Sequence, residues 1–415
     1  MPMREQNSHY VGLDIGTSTI RCVVGIFDQQ DDSKISVIGQ GSSPNLGMRK
    51  GVIAHIDDVV EAVINAVKHA EQVSGVQINQ ATININGMHI SGMNSRGVIA
   101  ISTANKEITE SDRLRVEEAA TIIKLPPNRE IIQVFAKNYR IDGQDNIKDP
   151  IGMQGIRLEV DTHIVTALSS NLKNLDIVLE KSKINPTRYT VSSIASAEAV
   201  LSRQQKESGT LLIDIGASTT NLVIVEDGEI QYVGVIPVGS MYLTNDLAIG
   251  LKTDLDIAEA VKIQHAGLGE QAKIGTVSVN VQKKNYSFDA SDVAMITEAR
   301  LEELFELIEK ELKKIHKSQK LPGGVVIVGG MAKLPGIADF AKEKLQLAAR
   351  IGKLQPIGGL VDAVSDPRYA TAVGLMLLDM LLLPTNQISS KSNFSNTNVF
   401  GILGGVWHKF KRGQH

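Results

Sequence analysis

The sequence is 415 residues long, with 42% hydrophobic and 21% charged residues. This length exceeds one ordinary domain and predicts at least two. Lys and Arg number 43 against 46 Asp and Glu, and the resulting net charge of −3 excludes a generally basic nucleic-acid-binding protein. The single cysteine, Cys22, excludes a disulfide framework and multi-cysteine zinc sites.

The start of the chain and its apolar runs bear on location. No run reaches the ~18 consecutive apolar residues of a membrane-spanning helix. The polar segment 1–8 lacks the apolar run of a signal peptide. We therefore expect the chain to remain inside the cell. The most apolar run, residues 375–383, is interrupted by Asp379 and predicts a buried core helix.

One short motif occurs twice. Residues 14–19 read Asp-Ile-Gly-Thr-Ser-Thr and residues 214–219 read Asp-Ile-Gly-Ala-Ser-Thr, each between two strand-like apolar runs. The predicted unit is therefore strand, tight turn, strand, and neither copy has the lysine of a Walker loop. A tight hairpin without a ligand would give the same pattern in one copy. Its duplication in the two halves of the chain favours duplicated architecture.

The composition of this motif suits a phosphate group. Glycine permits a sharp turn and leaves room for a ligand, while backbone N–H groups and hydroxyls can converge on phosphate oxygens. A carboxylate would repel phosphate directly. Asp14 and Asp214 are therefore expected to hold Mg²⁺ through water, because Mg²⁺ keeps several waters and takes few carboxylates. Two facing hairpins could then clamp one polyphosphate.

Two further elements are weaker signals. A strand-like run at residues 325–328 ends in Gly329 and Gly330, which would let the backbone lie flat against a ring. A plain strand-to-helix turn has the same pattern. Glu259 and Lys262 lie three apart on one face of a predicted helix, where they could also form an ordinary solvated ion pair.

In this order, the four elements resemble the actin-like ATPase superfamily. Residues 192–200 and 369–375 lie where its two connecting helices lie, and small residues there suit a close crossing at a hinge. Within the superfamily, residues 11–17, 47–51, 258–262 and 371–375 resemble the FtsA family, and the resemblance runs from about residue 8 onward. It implies an α/β, actin-like two-lobed fold of duplicated ribonuclease-H-like domains, with an FtsA-type inserted α+β subdomain and a C-terminal amphipathic helix.

The resemblance implies ATP and Mg²⁺ as ligands. The implied nucleotide-binding residues are Asp14, Gly16, Thr17, Ser18, Thr19, Asp214, Gly216, Ala217, Ser218, Thr219, Thr220, Glu259, Lys262, Gly329, Gly330 and Met331. The two hairpins would hold phosphates, with Asp14 and Asp214 near Mg²⁺. Glu259 and Lys262 would meet ribose and adenine, and residues 329–331 would line the adenine pocket.

Hydrolysis is expected to be slow or negligible. Actin-like ATPases usually place a Gln or Glu near the first connecting helix to orient the attacking water. Residues 192–197 contain neither, and Glu198 follows them.

The resemblance also implies a division of the chain. Residues 8–83 and 164–200 would form the first lobe, and 84–163 the inserted subdomain used for self-contact and later division proteins. Residues 201–383 would form the second lobe, with a smaller subdomain at about 240–320. Within the insertion, residues 109–123 predict a helix that begins with a capping motif, and 81–86, 130–135 and 155–160 are strand-like. An ordinary α+β elaboration without a partner is the alternative.

The last residues predict a membrane contact. Residues 384–398 are rich in Ser and Asn and predict a flexible linker. In residues 399–412 the large apolar side chains fall within an arc of about 160°, and basic residues flank it, as in a helix lying in a membrane surface. The candidate lipid contacts are Phe400, Ile402, Leu403, Val406, Trp407, Lys409, Phe410, Lys411 and Arg412. Docking of this helix on its own domain is the alternative.

The resemblance implies a cell division protein that polymerises, binds the C-terminal peptide of FtsZ and recruits later division proteins. It would hold FtsZ at the cytoplasmic face of the inner membrane, at the septum, as a peripheral protein, and would not bind nucleic acid. Arg300, on a charged helix predicted at residues 294–317, is the candidate contact to FtsZ, although a solvated charged face gives the same pattern. The alternatives are a soluble kinase of the sugar-kinase branch and a pilus-assembly relative of the same fold.

Overall fold

The computed structural model describes residues 9–27, 35–102 and 105–381. The predicted linker and amphipathic helix, residues 384–398 and 399–412, lie outside the described residues. No helix in the described part of the chain is long and apolar enough to cross a membrane.

The first lobe is built on a six-stranded sheet. Its first elements are β1 (Tyr10–Ile15), β2 (Thr19–Phe27), β3 (Ile35–Pro44), β4 (Met48–Arg49), β5 (Val52–Ile53), α1 (Ile56–Ser74) and β6 (Gln80–Ile85). The buried residues of α1 recur three and four apart, so that one face of the helix packs on β3. A Cβ on Gly41 of β3 would lie 2.1 Å from the Ala66 carbonyl oxygen, and the helix can approach closely only because Gly41 has none.

An inserted subdomain follows β6. It comprises β7 (Ser91–Ala100), α2 (Glu110–Ala120), β8 (Arg129–Ile141), β9 (Gln144–Ile147) and β10 (Arg157–Leu168), and its sheet has the order β7-β10-β8-β9. Helix α2 begins with the predicted cap, because the Thr109 side chain accepts from the Asp112 N–H and Asp112 accepts from the Thr109 N–H. Strands β8 and β10 are longer than the sequence predicts.

The chain then completes the first sheet. Helix α3 (Ser169–Ser182), strand β11 (Asn185–Val191) and helix α4 (Ser192–Val200) follow in sequence. Strand β11 pairs in parallel with β6, and α4 carries the chain out of the first lobe.

The second lobe repeats the plan of the first with a five-stranded sheet of order β14-β13-β12-β17-β18. Its elements are α5 (Arg203–Ser208), β12 (Thr210–Ile215), β13 (Thr220–Glu226), β14 (Glu229–Ile236), α6 (Ser240–Gly250), α7 (Leu255–His265), β15 (Thr276–Val281), β16 (Lys284–Asp289), α8 (Ala290–Lys314), β17 (Gly324–Val328), α9 (Ile337–Leu345) and β18 (Ala349–Ile351). Both sheets begin with an antiparallel hairpin, β1–β2 or β12–β13, joined to a parallel strand.

The final described segment returns to the first lobe. Strand β19 (Gly358–Gly359) pairs with β3, and helix α11 (Ala370–Leu381), after the short α10 (Val361–Val364), packs on β1, β2 and β6. The sequence prediction placed residues through 383 in the second lobe. Helix α11 lies in close contact with β1, because Gly12 has no Cβ, which would lie 2.1 Å from the Ala372 carbonyl oxygen.

Helices α4 and α11 connect the lobes and cross in close contact. A Cβ on Gly374 would lie 1.7 Å from the carbonyl oxygen of Ala195. The small residues of both helices therefore bring the two backbones together, as the sequence predicts for a hinge.

Candidate functional site

The first hairpin ends in a tight polar turn after β1. A Cβ on Gly16 would lie 2.6 Å from the Thr19 carbonyl oxygen, so a larger residue would force the turn open. Asn45 braces the turn from the end of β3, because its Nδ2 donates to the Gly16 carbonyl at 2.8 Å and its N–H donates to the Ser18 carbonyl at 3.0 Å. The candidate residues 16–19 are therefore held in one fixed loop.

The second hairpin has the same turn and a helix docked against it. The Gly216 N–H donates to the Thr219 carbonyl at 2.9 Å. The Ser240 and Met241 N–H groups, in the first turn of α6, donate to the Gly216 and Ala217 carbonyls at 2.9 Å each. These two helix N–H groups thus satisfy carbonyls of the turn.

The second hairpin contacts the first lobe. The Thr219 hydroxyl of the second lobe lies 3.5 Å from Asn86 Oδ1 of the first, and a Cβ on Gly51 would lie 3.2 Å from the Thr219 Cγ2. The structure thus brings the second turn against the end of β6 in the first lobe.

The two aspartates form a buried pair of carboxylates. Asp14 and Asp214 are each 8% exposed. Burial raises the pKa of Asp14 to about 7, with Asp214 adding to the rise and Arg21 opposing it. Burial likewise raises the pKa of Asp214 to about 6, against hydrogen bonding by Thr371 and the charge of Arg21.

This pair fits a hydrated divalent cation. Two buried carboxylates with raised pKa values lack enough positive charge around them, and a cation would supply it. Among residues 9–27, 35–102 and 105–381, no three His, Cys, Asp or Glu side chains gather in a set that could hold a metal. Two carboxylates with water and phosphate oxygens are the donor set that Mg²⁺ accepts.

Arg21 is a charged neighbour of both aspartates that was not predicted from the sequence. It lies directly opposite Asp14 in the β1–β2 register, and its guanidinium lies 5.5 Å from the centre of the Tyr369 ring. The equivalent position opposite Asp214 is Asn221. The duplicated hairpins therefore differ in charge at one position, which a comparison of the residue seven after each aspartate could have found.

Glu259 and Lys262 are brought next to the second hairpin. Lys262 Nζ lies 2.6 Å from Glu259 Oε2, 2.8 Å from the Thr244 hydroxyl and 3.5 Å from the Ser240 carbonyl oxygen. The Lys262 side chain is 9% exposed and that of Glu259 is 43% exposed. The Thr244 hydroxyl also donates to Glu259 Oε2 at 2.5 Å, so both side chains are anchored on α6 while the carboxylate remains partly exposed.

The strand β17 ends beside Asp214. Gly329 has φ +86°, and a Cβ there would lie 2.5 Å from Asp214 Oδ1. A Cβ on Gly330 would meet nothing within 4 Å, which leaves open space above the backbone. The Met331 side chain is buried in the core of the second lobe, so that of the three predicted residues Gly330 is the one that presents an open surface.

Two other candidates are engaged by neighbours. Glu198, which follows the small residues of α4, accepts from the Lys206 ammonium at 2.7 Å. Its carboxylate is therefore engaged in an ion pair. Arg300 pairs with Asp246 and lies 2.6 Å from Glu303. Because its side chain is 17% exposed, Arg300 is largely covered rather than free on the surface of α8.

A matching hairpin in each lobe, a glycine-ended strand beside the second hairpin and two crossed connecting helices define an actin-like protein. The chain belongs to the FtsA family of cell division proteins. It is 35% identical over 381 residues to the cell division protein FtsA of Neisseria meningitidis serogroup B, which covers 90% of each chain. The family model described as "Cell division protein FtsA" matches residues 211–374, and that described as "SHS2 domain inserted in FTSA" matches residues 87–166.

Solved structures show the same fold at low sequence identity. A PilM–PilN type IV pilus biogenesis complex is 16% identical with a TM-score of 0.65, covering 89% of this chain and 98% of that one. MreB5 of Spiroplasma citri bound to ADP is 13% identical with a TM-score of 0.54, covering 90% of this chain and 97% of that one. The inserted SHS2 subdomain and the actin-like lobes confirm the predicted fold class for the part of the chain that the structure describes.

Proposed function

We propose that this protein binds ATP with Mg²⁺ between its lobes, polymerises, and holds FtsZ at the cytoplasmic face of the inner membrane during septum formation. The observation that carries the proposal is the identity of 35% to an FtsA over 90% of both chains. The soluble-kinase and pilus-assembly alternatives have less support, because the relative matches through both lobes and the inserted subdomain.

The cleft supports nucleotide binding. The turns at Gly16 and Gly216 would receive phosphates, and Asp14 and Asp214 would hold hydrated Mg²⁺, which would neutralise phosphate charge when bound. Lys262 would meet the nucleotide from α7, beside the first turn of α6, and the open backbone at Gly330 would take the base. The ADP bound to MreB5 of Spiroplasma citri agrees with this use of the fold.

Slow hydrolysis is part of the proposal, and two observations on α4 support it. The described part of α4 before Glu198 carries no carboxylate or amide side chain, and Glu198 is held by Lys206. If α4 supplies no side chain to orient an attacking water, the cleft would keep ATP bound longer than an efficient enzyme would.

Partner contacts are assigned by subdomain. The inserted subdomain would receive later division proteins, and α8 with its neighbours would receive the acidic C-terminal peptide of FtsZ. Arg300 can take part only by exchanging Asp246 or Glu303 for a carboxylate of the peptide.

Membrane attachment is assigned to residues 399–412. Each basic residue contributes about 1 kcal/mol near anionic lipid. A single tail would therefore be a weak anchor, and a polymer with many tails would bind better through effective concentration. ATP-dependent assembly would in this way control membrane residence.

Sedimentation with liposomes tests the proposal. The full chain, a version ending at Pro384 and the full chain with Trp407→Glu would be mixed with anionic or neutral vesicles, in ATP·Mg²⁺ or in EDTA. Of the three proteins, we expect only the unmodified full chain to sediment, and only with anionic vesicles. Its sedimentation should be greater in ATP·Mg²⁺ than in EDTA. Equal sedimentation of the full and shortened chains would overturn the membrane tether.

A further inference from the structure

The carboxylate of Asp14 is tied to helix α4 through one side chain. Asn84, at the end of β6, donates from Nδ2 to Asp14 Oδ1 at 2.7 Å and to the Ser192 hydroxyl at 3.0 Å. Its Oδ1 accepts the Ile15 N–H at 2.7 Å. Because all three groups of the amide are used, Asn84 has one orientation, and a flipped amide would place its oxygen against the carboxylate.

The carboxylate of Asp214 is tied to the same helix through a different side chain. The Thr371 hydroxyl, at the start of α11, donates to Asp214 Oδ2 over a long 3.5 Å. It also lies 2.8 Å from the Ser196 hydroxyl. Thr371 can donate to Asp214 only if Ser196 donates to Thr371, so the two hydroxyls form one directed chain.

Both hydrogen-bond chains end on one face of helix α4. Ser192 and Ser196 are four residues apart on α4, which places them one turn apart on the same face. Both serines, Asn84 and Thr371 are almost wholly buried. The helix lies in close backbone contact with α11, because a Cβ on Gly374 would lie 1.7 Å from the Ala195 carbonyl oxygen. Its serines are therefore fixed points for carboxylates that belong to opposite lobes.

We propose that Ser192 and Ser196 are positioning residues that hold Asp14 and Asp214, through Asn84 and Thr371, at the separation required by a divalent cation. This inference rests on the proposed binding of ATP with Mg²⁺. Hydrogen bonds donated to a carboxylate favour its charged form and fix its oxygens, and outer partners of this kind tune metal affinity. Helix α4 thus sets the cation affinity of the cleft without touching the nucleotide.

The same helix supplies a matched control. Ser193 is fully buried on α4, and its hydroxyl has no hydrogen-bond partner among the residues that the structure describes. Ser193→Ala removes the same atom from the same helix without cutting either chain. In the hydrogen-bond chain that leads to Asp214, Thr371→Val removes the hydroxyl at nearly constant shape, and Thr371→Ser retains it.

The experiment titrates Mg²⁺ against binding of a fluorescent ATP analogue by the full chain, with parallel binding in EDTA and thermal melting. We expect Ser192→Ala, Ser196→Ala and Thr371→Val to raise the half-saturating Mg²⁺ concentration by about tenfold, with affinity in EDTA changed by less than about twofold. Ser193→Ala and Thr371→Ser should match the original chain.

Each other outcome has a defined meaning. Variants that match Ser193→Ala would overturn the inference while the proposed function stands, and so would equal weakening in Mg²⁺ and in EDTA. If the original chain bound no nucleotide in Mg²⁺, the proposed function and this inference would both fall. If Ser192→Ala or Ser196→Ala did not fold, the Mg²⁺ dependence of Thr371→Val would be compared with that of Thr371→Ser. This comparison tests the inference through the hydrogen bonds to Asp214 alone.

Discussion

Gly374 and Ala195 touch backbone to backbone, at a distance where a single added methyl group would lie 1.7 Å from a carbonyl oxygen. The crossing of α4 and α11 is thus set by the absence of one side chain. Because these helices are the connections between the lobes, the angle of the cleft depends on this contact.

Gly374→Ala should therefore destabilise the protein strongly. The clash is with helix backbone, which cannot move aside as a side-chain tip could, and a loss of about 3 kcal/mol or more in the free energy of unfolding is expected. Urea unfolding measures it. Gly330→Ala is the control, since a Cβ there meets nothing within 4 Å and should change the free energy of unfolding by less than about 0.5 kcal/mol. Equal stability of the two variants would contradict the close crossing.

Lys262→Met should weaken ATP binding. The ammonium is largely buried beside α6 and is expected to meet the nucleotide, so its loss should lower affinity by about tenfold to hundredfold. A fluorescent ATP analogue reports the change. Lys314→Met removes a similar ammonium that pairs with Glu311 three residues earlier on α8, and this control should bind as the original chain does. A loss shared by both variants would point to general electrostatics instead.

His163→Ala should loosen the inserted subdomain from the second lobe. His163 Nε2 accepts the Val233 N–H at 3.0 Å, and Nδ1 lies 2.9 Å from Asn94 Oδ1, so the proton is on Nδ1 and the ring is neutral. Burial lowers the pKa of His163 to about 4.

The variant leaves the Val233 N–H buried without a partner, at a cost of about 1–3 kcal/mol in stability. Thermal melting measures the loss, with His69→Ala as the control because His69 contacts a carbonyl at an exposed position. A melting temperature no lower than that of the control would argue against this contact.

Glu229→Gln should make the protein more resistant to rising pH. Burial raises the pKa of Glu229 from 4.5 to about 7, with Glu117 and Glu207 adding to the rise. Between these values the unfolded chain loses this proton while the folded protein retains it, so stability falls as pH rises from 4.5 to 7.

Gln cannot ionise, and the gain over the original chain should grow from near zero at about pH 4.5 to about 1–3 kcal/mol at about pH 8. Urea unfolding at both pH values measures it. Glu270→Gln, at a side chain that is 90% exposed, should show a smaller difference between the two pH values. A pH-independent difference for Glu229→Gln would refute the assignment.

The elements that the sequence predicted well are those encoded locally. The two hairpins follow from a motif of six residues, and the start of α2 follows from Thr109 and Asp112, which cap one another within three residues. The small residues near Ala195 and Gly374 predicted the crossing because close approach requires them in any context. In these cases the physical cause lies within one short segment.

The side chains that bond to the two aspartates, and the partners of the other candidate residues, could not be predicted from the sequence. Asn84 and Thr371 come from strands and helices far apart in the chain, and nothing local marks them as neighbours of Asp14 or Asp214. Glu198 carries a charge whose partner, Lys206, lies on the following helix. Arg300 reads as a surface cation until Asp246 is brought beside it by the packing of α6 on α8. Tertiary packing decides these pairings.

Strand β14 is an edge strand of the second-lobe sheet. The inserted subdomain covers part of this edge, where the Val233 N–H donates to His163. An exposed edge strand has unpaired N–H and C=O groups that can pair with strands of other chains. Detachment of the inserted subdomain would therefore expose an edge strand to pairing with other chains, and we expect the contact between His163 and Val233 to limit aggregation as well.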